Sequence, residues 1–178
     1  RTGLYGDKPY ANYGYWDGEA ETIDEACDSL TQLMLDAMEL KATDRLLECG
    51  CGYGASAMYV ATHQPPARYV GLDATHLRVA AAQSTFVEKG FSDRFSAQIG
   101  DATKLPFEDA SFDKMMAIEC AFHFTTRADF FREAFRVLTP GGILAMTDII
   151  IAPEIKMHEW TNDQLRGFLG ADLKCISD

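Results

Sequence analysis

The densest concentration of chemically capable residues is the run Leu46-Leu-Glu48-Cys-Gly50-Cys51-Gly52-Tyr-Gly54. An apolar segment leads into three glycines at alternate positions, and a helix-like stretch follows. Glycines at a strand-to-helix turn let the backbone approach a ligand closely, and the helix start presents N–H groups with no intrahelical partner. Alone, the run is compatible with a structural turn or with a dinucleotide site, because Gly50, Gly52 and Ala55 also satisfy GxGxxG/A. Two acids in register behind it narrow the choice. Asp73 ends the next strand-like segment about 20 residues on, where a carboxylate can accept both hydroxyls of a ribose. The third such segment ends in Gly100-Asp101-Ala102, and an Asp there lies near the switch point of a parallel sheet, placed to read an adenine amino group. The apolar Leu105 and Phe107 that follow are candidates to line the ring.

These residues need a scaffold, and hydrophobic periodicity supplies one. Thr22 followed by Glu25 forms a capping box, and Ile23, Ala26, Leu30, Leu33, Met34, Ala37 and Met38 recur at helical spacing, so 22–40 reads as an amphipathic helix. Residues 45–49, 69–73, 94–99 and 112–119 read as strands, with helices expected over 53–62 and 75–89. A further helix opens at Thr126 and Asp129, and Pro140-Gly141-Gly142 is expected to stop it before a last strand over 143–150. One more helix is expected around Thr161–Leu169. Alternating strands and helices imply right-handed crossovers and an α/β fold, a doubly wound and mostly parallel sheet covered on both faces. The methionines fit that core as packing residues.

Composition limits the partners. The 178-residue chain carries a formal charge of −11. It has no Lys/Arg cluster, so nucleic acid and anionic membranes are excluded as expected partners, and a small molecule is favoured. The apolar stretch 141–151 is too short to span a bilayer, which takes about 20 residues. The five cysteines are odd in number and lack CxxC spacing, so reduced thiols in the cytoplasm are expected and no metal site is. No signal peptide is evident in the residues given.

ECGCGYG, GLD, GDATKLPFEDASFD and RVLTPGG, in this order and spacing, resemble the class I S-adenosylmethionine (SAM)-dependent methyltransferases over residues of about 45 to 150. The resemblance implies that Glu48, Gly50 and Gly52 hold the methionine part of SAM, Asp73 its ribose, and Asp101 with Ala102 its adenine. Cys51, Ala74 and Gly100 become adjoining cofactor contacts, and Glu119 lies beside the pocket. A finer resemblance is to the erythromycin- and rebeccamycin-type sugar O-methyltransferases, through Asn12-Tyr-Gly-Tyr-Trp16, Glu119-Cys-Ala-Phe-His123-Phe and Thr147-Asp148-Ile149. It implies that His123 and Asp148 are catalytic, His123 as the general base for a hydroxyl and Asp148 orienting it or binding the acceptor. This chain departs from the pattern at Phe122, where a His pair would begin, so the base rests on His123 alone. Tyr15 is the expected cofactor contact from the aromatic N-terminus, its ring face suited to a sulfonium.

The resulting expectation is one structural domain. Residues 1–40 form an aromatic segment and cap helix, 41–152 the SAM-binding core, and 153–178 part of a lid. By resemblance the sheet should end in a hairpin and a further crossover helix that the sequence does not display, so a C-terminal part is expected to be missing. The protein is expected to be a monomer or homodimer. Its expected reaction is methyl transfer to a natural-product or sugar hydroxyl, yielding S-adenosylhomocysteine, with N- or C-methylation close behind. A nicotinamide-dependent oxidoreductase and a catalytically silent SAM-binding module are the alternatives from other classes.

Overall fold

The computed structural model describes residues 6–149. The expected helix at 161–169 and the lid segment lie outside them. The elements are α1 (Ile23–Met38), β1 (Arg45–Cys49), α2 (Ala55–His63), β2 (Arg68–Asp73), α3 (His76–Glu88), β3 (Phe95–Ile99), β4 (Phe112–Ile118), α4 (Arg127–Val137) and β5 (Leu138–Thr147). The strands form one sheet in the order β3-β2-β1-β4-β5, and all four pairings are parallel.

Handedness decides which face each helix covers. The connections β1-α2-β2 and β2-α3-β3 step in one direction across the sheet, and β4-α4-β5 steps in the other. Right-handed crossovers therefore put α2 and α3 on one face and α4 on the opposite one. Side-chain alternation along the strands feeds the two resulting cores. Leu46, Tyr69, Phe95 and Met116 point into the first, with Leu30, Met34 and Met38 of α1, Val60 of α2 and Phe86 of α3. Leu47, Val70, Leu72, Met115 and Ala117 point into the second, with Phe130, Ala134 and Val137 of α4. The return from β3 to β4 is a loop without an α-helix, and the sheet's switch point falls between β1 and β4.

The capping box forms as the sequence suggests. Thr22 accepts from the Glu25 N–H, and Glu25 accepts from the Thr22 N–H. The Pro-Gly-Gly segment behaves differently from the expectation. It does not separate α4 from the last strand; α4 ends at Val137 and β5 begins at Leu138. Phe112 pairs with Leu138 and Lys114 with Ile143, so β5 carries the extra residues as a bulge. Pro140 cannot continue a helix and biases Thr139 toward extended backbone, which favours strand over coil there.

The N-terminal ends of the strands are tied by one carboxylate. Asp113 at the start of β4 accepts the Arg45 N–H (2.9 Å) and both Nε and an η nitrogen of its guanidinium (3.0 Å each). Its Oδ1 also accepts from the Thr139 hydroxyl, so β1, β4 and β5 start in register. The guanidinium holds the Asp113 carboxyl down at about 2.

Candidate active site

At the C-terminal ends of β1 to β4 lies a cavity of about 770 Å³, where open parallel sheets bind their ligands. Its floor is the glycine turn after β1. The Gly50 and Cys51 N–H groups both donate to the Leu72 carbonyl (2.7 and 3.1 Å), which welds the turn to β2. Gly50 has φ of 75°, and a Cβ there would lie 2.7 Å from Cβ and Sγ of Cys120. Gly52 is also left-handed (φ 54°), yet a Cβ there would meet only open space. Gly50 is thus required by the fold, whereas Gly52 leaves room for a ligand.

Four carboxylates from four segments border this space: Glu48, Asp73, Asp101 and Glu119. Asp73 is buried and accepts the Gly52 N–H at Oδ2 (3.0 Å) and the Thr75 N–H at Oδ1 (2.8 Å). Each oxygen keeps a lone pair for hydroxyl donors. Asp101 accepts from the N–H and hydroxyl of Thr103 through Oδ1 (2.8 and 2.7 Å), which orients the carboxylate. Ala74, Gly100 and Ala102 complete that side. Glu119 follows β4 in a left-handed conformation (φ 45°) and accepts the Tyr13 N–H (3.0 Å).

Glu48 is the most buried of the four. Its Oε1 accepts from the Ser56 hydroxyl and its Oε2 from the Tyr69 hydroxyl, both at 2.5 Å. Burial pushes its carboxyl up to about 7, with the nearby Asp73 carboxylate adding to the rise and the two hydroxyls opposing it. Burial likewise keeps the Cys51 and Cys120 thiols protonated at neutral pH, so neither is an activated nucleophile.

His123 stands at the mouth, on the 3-10 turn Ala121–His123. Its ring lies 4.1 Å from that of Phe122, which is itself buried and takes no part in the cavity. Burial first, and then the Arg78 cation, lower the His123 pKa below its ordinary 6.5, with Asp148 opposing. The ring is therefore neutral at pH 7, as a general base must be.

Residues 47–146, more than half of the chain, match the family model described as a methyltransferase domain. The chain belongs to that methyltransferase family. It is 38% identical over 141 residues to the erythromycin 3''-O-methyltransferase of Saccharopolyspora erythraea, covering 79% of this chain and 46% of that one. It is 37% identical to the 27-O-demethylrifamycin SV methyltransferase of Amycolatopsis mediterranei, covering 80% and 52%. The methyltransferase-family chain thus spans about half the length of these curated relatives. Among solved structures it resembles the cyclase SpnF, with a TM-score of 0.77 and 30% identity over 92% of this chain and 64% of the other. The fold is the Rossmann-like fold of class I methyltransferases.

Several residues singled out in the sequence of this methyltransferase-family chain fall outside the cavity. Tyr15 is one: its N–H donates to the Ala26 carbonyl (2.8 Å), which holds the residue over α1 with its side chain half exposed. Tyr10 and Asn12 line the cavity in its place, Tyr10 being anchored by donation to Asp28 (2.6 Å). Asp148 is another. Its Oδ2 accepts from Nε of Arg127 (2.5 Å) and its Oδ1 from the Ile149 N–H, and it makes no hydrogen bond to His123. Leu105 and Phe107 turn into the core with Phe112 and Phe130, and Ile99 with Phe124 supply apolar wall instead. The sequence reading missed Ser56, Tyr53 and Arg78, which also border the cavity; the Arg78 guanidinium lies 5.8 Å over the Tyr53 ring. Only Ser56 carried a signal, as a polar residue in the first turn after the glycines. Among the described residues no helix is long and apolar enough to cross a membrane, and no group of three or more His, Cys, Asp or Glu is placed to hold a metal.

Proposed function

We propose that this chain is the donor-binding part of an enzyme that transfers a methyl group from SAM to a small molecule, in the O-methyltransferase branch of its family. The observation that carries the reading is the charge of the cavity: four carboxylates border it against the single arginine Arg78. A ligand bearing a sulfonium and an ammonium complements that field, whereas a dinucleotide pyrophosphate is repelled by it. The backbone supports the same choice. The Gly50, Cys51 and Gly52 N–H groups, which would cradle a pyrophosphate, are occupied by Leu72 and Asp73.

SAM supplies an electrophilic methyl group. The residues of this chain bind and align it. Asp73 offers one free lone pair per oxygen to a ribose diol, and the free Oδ2 of Asp101 accepts from an adenine amino group. Glu48 and Glu119 neutralise positive charge on the methionine part. Neutral His123 at the mouth takes the proton from an acceptor hydroxyl as the oxygen attacks. The O-methyltransferases named above, which share 37–38% identity with this chain, support a natural-product or sugar hydroxyl as acceptor. A soluble, cytoplasmic protein working alone or as a homodimer fits this reading.

A second reading is favoured by one finding, the likeness to a structure described as a cyclase. In that case the site would bind SAM without transferring its methyl group. Calorimetry with SAM, S-adenosylhomocysteine and NAD, repeated with Asp73→Ala, tests the binding site. Binding of both adenosyl ligands, lost in the variant and absent for NAD, is expected; NAD binding instead would overturn the proposal. Acceptor-dependent formation of S-adenosylhomocysteine then separates transfer from binding without transfer.

A further inference from the structure

Glu48 presents a problem that the fold alone does not solve. Its carboxylate is buried beneath the cavity, and each oxygen is held by a hydroxyl, one from Ser56 in the first turn of α2 and one from Tyr69 on β2. Ser56 and Tyr69 are themselves buried, and the Tyr69 ring is clamped by Phe86 and by Phe95, whose centroid is 4.9 Å away. No cation among the described residues pairs with this carboxylate. The space for the Tyr69 hydroxyl is made by Gly71, where a Cβ would lie 3.2 Å from that oxygen and 2.8 Å from Sγ of Cys51.

A buried charge without a counter-ion is unfavourable, and hydroxyl donors offset only part of the cost. The groups facing Glu48 do not supply the rest. They are Asp73 and Tyr69 from β2, Ser56 from α2, Cys49 and Cys51 around the glycine turn, and Cys120 beyond β4. The thiols and the phenol are held neutral by burial, and Asp73 has the same sign as Glu48. The open direction is the cavity.

We infer that Tyr69 and Ser56 are positioning residues which aim Glu48 at the ammonium group of the bound ligand, and that binding of this ammonium expels a proton from Glu48 into solvent. The inference rests on the SAM-site reading above. The free protein near neutral pH is a mixture of protonated and ionised Glu48, and the incoming ammonium selects the ionised form. The Tyr69 hydroxyl favours that form too, so its removal should weaken ligand binding most where the proton is hardest to lose.

The test is calorimetry at pH 7 in phosphate and in Tris, whose ionisation enthalpies differ, with S-adenosylhomocysteine and with methylthioadenosine, which lacks the amino-acid part. S-adenosylhomocysteine should release a measurable fraction of a proton on binding to the wild type, since burial raises the Glu48 carboxyl to about 7, and methylthioadenosine none. Glu48→Gln should abolish the release. Tyr69→Phe should weaken S-adenosylhomocysteine about fivefold at pH 7, the effect at that pH of raising the carboxyl by one pKa step, with the deficit narrowing by pH 8.5. Its affinity for methylthioadenosine should match the wild type, which also shows that the variant folds. Equal weakening of both ligands at all pH values would reduce Tyr69 to a packing role and overturn the inference. So would wild-type binding of S-adenosylhomocysteine without proton release, which leaves the SAM site itself intact. Failure of both ligands to bind would overturn the SAM-site reading and this inference with it.

Discussion

Oδ2 of Asp148 lies 2.5 Å from Nε of Arg127, and this ion pair ties the end of β5 to the first turn of α4. The same guanidinium reaches the Ile149 carbonyl. Between β4 and α4 runs the segment that carries His123, so the pair anchors one end of the segment that presents the proposed base. This places Asp148 to hold the connection in place, at one remove from the histidine, a role that substitution of Arg127 tests.

Removing the cation should expose that role. Both side chains are mostly buried, so Arg127→Ala leaves a desolvated carboxylate behind and should cost about 2 kcal/mol of stability. Urea unfolding checks the magnitude. Neither residue borders the cavity, so affinity for S-adenosylhomocysteine should stay within about twofold while turnover falls, a split read by calorimetry beside an acceptor assay. Arg127→Lys should recover only part of the loss, because a lysine cannot contact both Asp148 and Ile149 with a planar fork.

The two glycines of the turn should respond differently to alanine. Gly50→Ala forces a methyl into Cys120 in addition to a left-handed backbone, and should cost about 3 kcal/mol or prevent folding. Gly52→Ala meets no protein atom and carries only the backbone cost of about 1–2 kcal/mol. Its methyl projects into open space at the cavity wall, so ligand affinity should fall about tenfold or more in a protein that still folds. Thermal unfolding followed by titration with S-adenosylhomocysteine separates the two effects.

The contrast between these glycines also indicates what the sequence could reveal. Strand ends were legible because apolar runs stop abruptly at Gly or Asp, which located Glu48, Asp73 and Asp101 at one end of the sheet before any fold was known. The helix start at Thr22 was legible because a capping box is a local device. Pro140-Gly141-Gly142 misled because a break in the pattern looks the same whether it ends an element or bulges inside one; the pairing of Leu138 with Phe112 decides the matter, and that contact is not local. Leu105 and Phe107 belong to a loop, where no periodicity tells which way a side chain turns. Tyr10 replaced Tyr15 at the cavity because Asp28, on α1, holds its hydroxyl. Arg127 captured Asp148 across 21 residues, and a lone arginine carries no signal of its destination.

Glu48 should leave a signature in the stability of the ligand-free protein. Its folded-state pKa is raised from 4.5 to about 7, so the native state holds a proton that the unfolded chain has already lost across that interval. The sign follows: the protonated form favours folding, the contribution is complete below pH 4.5, and it is lost as pH rises through about 7. Glu48→Gln cannot titrate. Its stability relative to the wild type should therefore increase between pH 5 and pH 8 by on the order of 3 kcal/mol, whatever constant offset the amide introduces. Urea unfolding at four pH values measures the trend, and a flat difference would mean that the carboxyl is ionised throughout.

The pH dependence of turnover should identify the base. Burial and the Arg78 cation hold the His123 pKa below 6.5, so the neutral ring that accepts a proton predominates at pH 7 and is lost only on acidification. With an acceptor found by screening hydroxylated natural products, kcat/KM should show an acid limb below pH 6.5 and a plateau above it. Arg78→Ala removes one of the two influences that lower the pKa, so its limb should move toward 6.5 and activity at pH 6 should fall. His123→Ala should lose the limb together with about 100-fold or more of the rate, while still binding S-adenosylhomocysteine. If the His123→Ala variant keeps both the rate and the limb, the proton leaves the acceptor by another route and His123 only shapes the mouth of the cavity.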